Sequence, residues 1–190
     1  MSDSPSTPTS ARIAPISAVL EEPLKSKMAK IFPPELPAPA LYRTVARNPS
    51  LFIDMIDTRL IGPTGLLDRK TIAPATREML ILRTCVVTGN DYEFRLHVQT
   101  ISEKMGLTRA QIADLRNTKV SEDLWSDRER ALIALIDGLV EGIDVSRPVF
   151  DEARRHFSES ELVELTLLIG LYTSVAMLVA LVKPELDPYE

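Results

Sequence analysis

A chain of 190 residues, 45% hydrophobic and 26% charged, has room for one globular domain with a substantial core and is cramped for two. Its net charge of -5, with no basic stripe, excludes a nucleic-acid binder, which must neutralise phosphates, and gives no attraction to an anionic membrane surface. The single cysteine, Cys85, excludes an internal disulfide, and the start MSDSPSTPTSAR has neither the basic opening nor the apolar core of a secretory signal, so a cytoplasmic protein is expected.

Residues 1–40 read as an arm rich in Pro and Ser. Pro33-Pro34, Pro37 and Pro39 rule out a long helix and predict an extended segment, partly disordered or wrapped around a neighbour. Within it Ile13, Ile16, Val19, Leu20 and Leu24 are apolar enough to pack, with at most a short helical turn. Residues 41–190 form the expected domain, where apolar residues recur at the helical period. Asn48 can cap a helix with Pro49 at its first position, ahead of the stripe Leu51, Phe52, Met55, Ile56 and Leu60. Gly62-Pro63-Thr64-Gly65 reads as a loop. Pro74 opens a helix to about residue 88, with Met79, Leu80, Leu82, Val86 and Val87 as its buried faces. The next helix is expected over residues 91–104, ending at Gly106 as a left-handed cap. Thr108 with Gln111, and Ser126 with Glu129, have capping-box spacing and start a brief helix and a long one. Ser146-Arg147-Pro148 opens a short helix to Phe157, and Ser158 or Ser160 caps the last, which ends at Lys183-Pro184. No alternating β-branched run competes, so the expected fold is all-α, a single-domain bundle of about seven helices.

Residues 165–182 carry no charge and reach the lower limit for spanning a bilayer. They include Thr166, Gly170, Tyr172, Thr173 and Ser174 and stand alone at the end of an amphipathic chain, so we read a core or subunit-interface helix. A helix apolar all round must be covered all round, which points to a homo-oligomer.

On a helix Glu93 and His97 stand four residues apart on one face, where carboxylate and imidazole can share a proton or a substrate. The competing reading is a surface ion pair worth ~0.3–0.5 kcal/mol. Glu78 falls in the first turn after Pro74, a position the helix dipole already favours for a carboxylate. Arg77, Arg83 and Arg95 are candidate anion clamps, Arg83 foremost because it interrupts an apolar run and must pair or face a polar pocket. Cys85, amid Leu82, Val86 and Val87, reads as a small core hydrophobe. Glu78, Glu93 and His97 lack the paired Glu-x-x-His pattern of helical metal sites, so no metal is expected, and no phosphate loop or nucleophile elbow is present.

Three motifs converge on a family: Arg77-Glu78-x-x-x-Leu82-Arg83, Thr88-Gly89-Asn90-Asp91-Tyr92-Glu93-x-x-x-His97, and Gly106-Leu107-Thr108-x-x-Gln111-Ile112. Together they resemble the carboxymuconolactone decarboxylase and alkylhydroperoxidase-D-like superfamily. The likeness continues through Ser126-x-x-Glu129-Arg130-Ala131-Leu132 and Phe157-x-x-x-Glu161-Leu162, and so covers residues 41–183. It implies a helical fold assembling as trimers or hexamers, with a site near Glu78 and the helix of Tyr92 and His97. The peroxidase branch places Cys-x-x-Cys where this chain has Asn90 and Glu93, so thiol peroxidase chemistry is not expected. The remaining set resembles the decarboxylase side, which implies a cofactor-free lyase acting on a carboxylated lactone or similar organic acid. On that resemblance His97 delivers the proton, Glu78 and Glu93 set its charge, and Tyr92 either donates to a developing oxyanion or, buried, satisfies a backbone carbonyl. Arg83 or Arg95 holds the carboxylate, and Asn90 joins the substrate-binding set. Two other outcomes are a peroxidase-branch relative that binds small molecules without redox activity, and a purely structural oligomer.

Overall fold

Helix starts follow the capping residues. In the computed structural model, which describes residues 11–187 except 35, 63 and 67, nine helices and no strand occur among the described residues. Residues 1–10 of the arm, and Pro63 of the expected loop, lie outside them. The first two helices are short: α1 (Leu24–Met28) and α2 (Ala40–Val45). They account for the excess over the seven expected. Pro23 and Pro39 stand just before them at the N-cap, where a missing N–H is harmless, so these prolines mark the starts of short helices while no long one forms in the arm.

The seven expected helices follow. In α3 (Pro49–Asp57) the Asn48 side chain accepts from Leu51 N–H at 3.2 Å. Next come α4 (Pro74–Val87), α5 (Asp91–Thr100), α6 (Arg109–Asp114), α7 (Asp127–Gly142), α8 (Arg147–His156) and α9 (Glu159–Val182). Capping boxes close the starts of α6, α7 and α9 through Thr108, Ser126 and Ser158. Helix α5 ends four residues earlier than expected, because Ile101 and Ser102 N–H both fold back onto the His97 carbonyl at 2.8 and 3.0 Å.

The core is built around α4, which packs against α5, α7 and α9. Met79, Leu80, Ile81 and Leu82 are consecutive and all fully buried, which a helix achieves only when neighbours cover every side of it. Burying each such side chain contributes roughly 1.5–3 kcal/mol. A second cluster joins arm and domain: Met28 and Ala38 pack with Ala46, Phe52, Ile56 and Ile61, with Ile16, Leu20 and Leu24 against them. Helix α9 is long and apolar enough to cross a membrane by length and composition, yet Leu162, Leu165, Leu168, Ile169 and Tyr172 are buried in the main core.

Candidate active site

The turn at 88–90, where Gly89 takes a φ of 67°, folds α5 back beside α4. Two residues 19 apart in sequence thereby meet: His97 Nδ1 lies 2.9 and 3.2 Å from the two Glu78 carboxylate oxygens. The early end of α5 adds a third partner, since Ser102 Oγ donates to Glu78 Oε1 at 2.6 Å. Glu78 is the fifth residue of α4, beyond the first turn where sequence alone placed it, and is fully buried. Its charge is therefore held by side chains and not by the helix terminus. Burial pushes its carboxyl up, but His97, Ser102 and Arg77 outweigh that and leave it below the ordinary range.

Burial alone would pull the His97 imidazole down, yet the Glu78 carboxylate, by charge and hydrogen bond, together with Glu93 raises it to about 10. The ring is thus an imidazolium at neutral pH, with Nδ1–H committed to Glu78. Its Nε2 faces Glu93 Oε1 at 3.6 Å, long for a hydrogen bond. Glu93 is 8% exposed and its Oε2 has no hydrogen-bond partner among the described residues, so the i,i+4 pair is no solvated surface contact. Tyr172 meets the His97 ring edge-on at 5.9 Å and fixes its plane.

His97, Glu93, Tyr42 and Tyr172 line two adjoining cavities. The larger, about 380 Å³, has Asp68, Arg77, Thr100 and Lys104 on its polar wall and Ile31, Phe32 and Leu36 of the arm over it. The smaller, about 130 Å³, is apolar, walled by Leu41, Val45, Phe52, Met55, Ile61 and Leu178 among others. A proton donor between a charged chamber and an apolar one suits a small ligand with an anionic end and a hydrocarbon end.

The other sequence candidates lie elsewhere. Arg83 is 4% exposed and grips Asp137 with two hydrogen bonds of 2.6 and 2.7 Å, and the carbonyls of Leu115 and Asn117 at 2.7 Å each. Its apolar surroundings forced pairing, and α7 supplied the carboxylate. Arg83→Met is expected to lower stability by about 3 kcal/mol in urea unfolding, by stranding those acceptors, with ligand affinity at His97 unchanged. Lost affinity at constant stability would return Arg83 to the site. Arg95 pairs with Asp91 on the surface, both about half exposed, and lines neither cavity beside His97. Asn90 caps α5 by accepting from Glu93 N–H at 3.2 Å, and lines a separate cavity with Cys85 and Arg116. Burial, then Glu93 and Glu78, push the Cys85 thiol well up, away from thiolate chemistry.

Tyr92 also turns away from His97. Its hydroxyl donates to Asp187 Oδ2 at 2.6 Å and accepts from Leu41 N–H at 3.3 Å. Asp187 accepts the Ala40 N–H as well, at 3.0 Å, and so ties the C-terminal tail to the start of α2. The phenol is raised by burial and by Asp187, which makes it a poor proton source. Tyr92→Phe is expected to cost about 1–2 kcal/mol in thermal unfolding through the lost bond to a carboxylate, without altering ligand binding. Sequence reasoning missed Ser102, Tyr42, Tyr172, Lys104 and Asp187. None carries a local signal, because each reaches its place through tertiary packing or an unforeseen helix end. Arg77 was noticed but ranked behind Arg83.

Among the described residues no group of three or more His, Cys, Asp or Glu side chains could hold a metal ion. The model of the carboxymuconolactone decarboxylase family matches residues 63–137, a segment that contains Glu78, Asn90, Glu93 and His97. No curated protein sequence matches. A crystal structure of a protein of unknown function from Agrobacterium tumefaciens, described as a candidate antioxidant defence protein AhpD, is 19% identical with a TM-score of 0.66, covering 75% of this chain and 94% of that one. The apo debrominase Bmp8 is 16% identical with a TM-score of 0.74, covering 94% of this chain and 93% of its own. A cysteine-to-alanine variant of Bmp8 in complex with 2,3,4-tribromopyrrole is 17% identical with a TM-score of 0.65, covering 95% and 94%. At such identities these structures bear on the fold alone. The matched segment agrees with the motifs around Glu78 and His97: residues 63–137 are similar to the carboxymuconolactone decarboxylase family, and the chain carries a single cysteine, Cys85, and no Cys-x-x-Cys pair.

Proposed function

We propose that the protein is a cofactor-independent lyase of the decarboxylase kind, or a related proton-transfer enzyme, acting on a small unsaturated organic acid or carboxylated lactone. The observation that carries this reading is the His97 imidazolium, held at Nδ1 by Glu78 and turned at Nε2 toward Glu93 where two cavities meet. An acid so placed can protonate carbon as charge develops there.

The substrate carboxylate lies toward Arg77 and Lys104 in the larger chamber, and its apolar portion enters the smaller one. The carbon–carboxylate bond breaks, carbon dioxide leaves, and the electron pair delocalises into the unsaturated carbonyl system as a dienolate. His97 Nε2–H then delivers its proton to the remote carbon of that system, giving the enol-lactone product. The neutral imidazole regains a proton from water while Glu78 keeps its charge and orientation. Conjugation in the substrate supplies the electron sink, and Glu93 Oε2 can accept a substrate O–H. The 2,3,4-tribromopyrrole held by the Bmp8 variant is a small flat ring, and a ring of that size suits the apolar chamber here. Thiol chemistry does not transfer, because Cys85 is buried with its thiol pushed up.

The test is product analysis in deuterium oxide. Incubation with a small unsaturated carboxylated lactone should release carbon dioxide and place one deuterium stereospecifically on the product, seen by NMR. Carbon dioxide release at the uncatalysed rate, across a panel of such acids, sinks the proposal.

A further inference from the structure

One face of α9 is left uncovered by the described residues of its own chain. Val163, Leu167, Met177 and Leu181 are 63%, 57%, 69% and 59% exposed, and Gly170 and Ser174 are exposed between them. The six positions step by 4, 3, 4, 3 and 4 residues, the spacing of a seam between two helices, along about 27 Å. In size the series reads large, large, small, small, large, large, and so is the same from either end. A Cβ built on Gly170 meets nothing within 4 Å among the described residues, so packing among them gives no reason for a glycine that costs a helix interior about 1 kcal/mol.

We infer that this face is the twofold contact between two copies of this chain, their α9 helices antiparallel and centred on residue 172. In that register Val163 faces Leu181 of the second copy, Leu167 faces Met177, and Gly170 faces Ser174. The two helices approach most closely where both side chains are small. Isologous contacts require a surface complementary to itself, and the palindromic order of sizes lets the seam meet that requirement in the antiparallel sense, which its end charges favour over the parallel one. Charge agrees with the same register. Glu159 and Glu161 occupy the first turn of α9 and Lys183 its C-cap, so Glu161 comes opposite Lys183 of the second copy and the helix dipoles oppose. Ser174 and Leu178 also line the smaller cavity beside His97, so the second copy closes that chamber from outside. The contact is argued from α9 alone and does not rest on the proposed chemistry.

Sedimentation velocity on the full chain and three variants tests it. The wild type should sediment as a dimer or an even multiple of one. Leu167→Lys or Met177→Glu alone should weaken this contact by roughly a hundredfold and halve the mass, because each sets an unpaired charge against an apolar residue. Both substitutions in one chain should restore assembly, since each new lysine then faces a new glutamate. Helical circular dichroism should stay unchanged throughout, as both side chains are exposed. A monomeric or odd-numbered wild type, single variants that stay fully assembled, or a double variant that stays dissociated would each overturn the inference. So would wild-type chain that partitions onto phosphatidylcholine vesicles, which would make the stripe a membrane contact.

Discussion

His97→Asn will reduce turnover by roughly 10²–10⁴-fold, the usual worth of a positioned general acid, while the chain stays folded. Fold should survive because the asparagine amide can still donate to Glu78 from near the place of Nδ1, and Ser102 keeps its bond to the same carboxylate. What disappears is Nε2–H, the one proton of the ring not committed to Glu78. The loss should fall on kcat more than on KM, because Arg77, Lys104 and the apolar chamber remain in place. The wild-type pH profile carries the same information. With the imidazole raised to about 10, the acid stays loaded through neutral pH, and the alkaline limb of kcat/KM should lie near 10 and not near 6.5. Stopped assays at intervals from pH 6 to 11 measure the limb. Wild-type rates in the asparagine variant would remove His97 from the chemistry. A limb near 6.5 would show that Glu78 and Glu93 do not govern its charge.

Helical architecture was legible in the sequence because its signals are local. Asn48, Thr108, Ser126 and Ser158 each satisfy an N–H within three residues, so their side chains mark helix starts without reference to the rest of the fold. The proximity of Glu93 and His97 was legible for the same reason, being one helical turn. Meeting of Glu78 and His97 could be guessed only from the resemblance, since it depends on how α5 folds back beside α4. Tertiary competition was not legible. Sequence left Arg83 between a salt bridge and a ligand carboxylate, and Tyr92 between a structural hydrogen bond and an oxyanion; the fold pairs them with Asp137 and Asp187, partners no local pattern named. The prolines excluded a long helix, and α1 and α2 are short; what composition did not mark is that Pro23 and Pro39 stand just ahead of helices, so the count came out low.

Glu78→Gln should lower stability as much as Arg83→Met, and its effect should depend on pH in a way that packing alone cannot imitate. His97 has a raised value in the folded chain, so its contribution is fully present below its ordinary 6.5 and is lost as pH climbs through about 10. Glu78 is lowered, so its contribution is present above its ordinary 4.5 and is lost as pH falls through the depressed folded value. The pair therefore stabilises most between about 4.5 and 6.5. Removing one charge of a buried pair costs about 3–5 kcal/mol, and the imidazole can relieve part of that by shedding its proton. Urea unfolding should thus show the variant about 3 kcal/mol less stable at pH 6, with the gap closing toward pH 10, where the wild-type pair is itself dissolving. The same substitution removes the charge that lifts the imidazole, so the alkaline limb of activity should move down toward the ordinary histidine range. A stability gap that stays constant from pH 6 to pH 10 would mean that Glu78 serves the fold by shape and hydrogen bonding alone. The imidazolium would then have no counter-charge strong enough to hold it, and the general-acid role of His97 at neutral pH would fall with it.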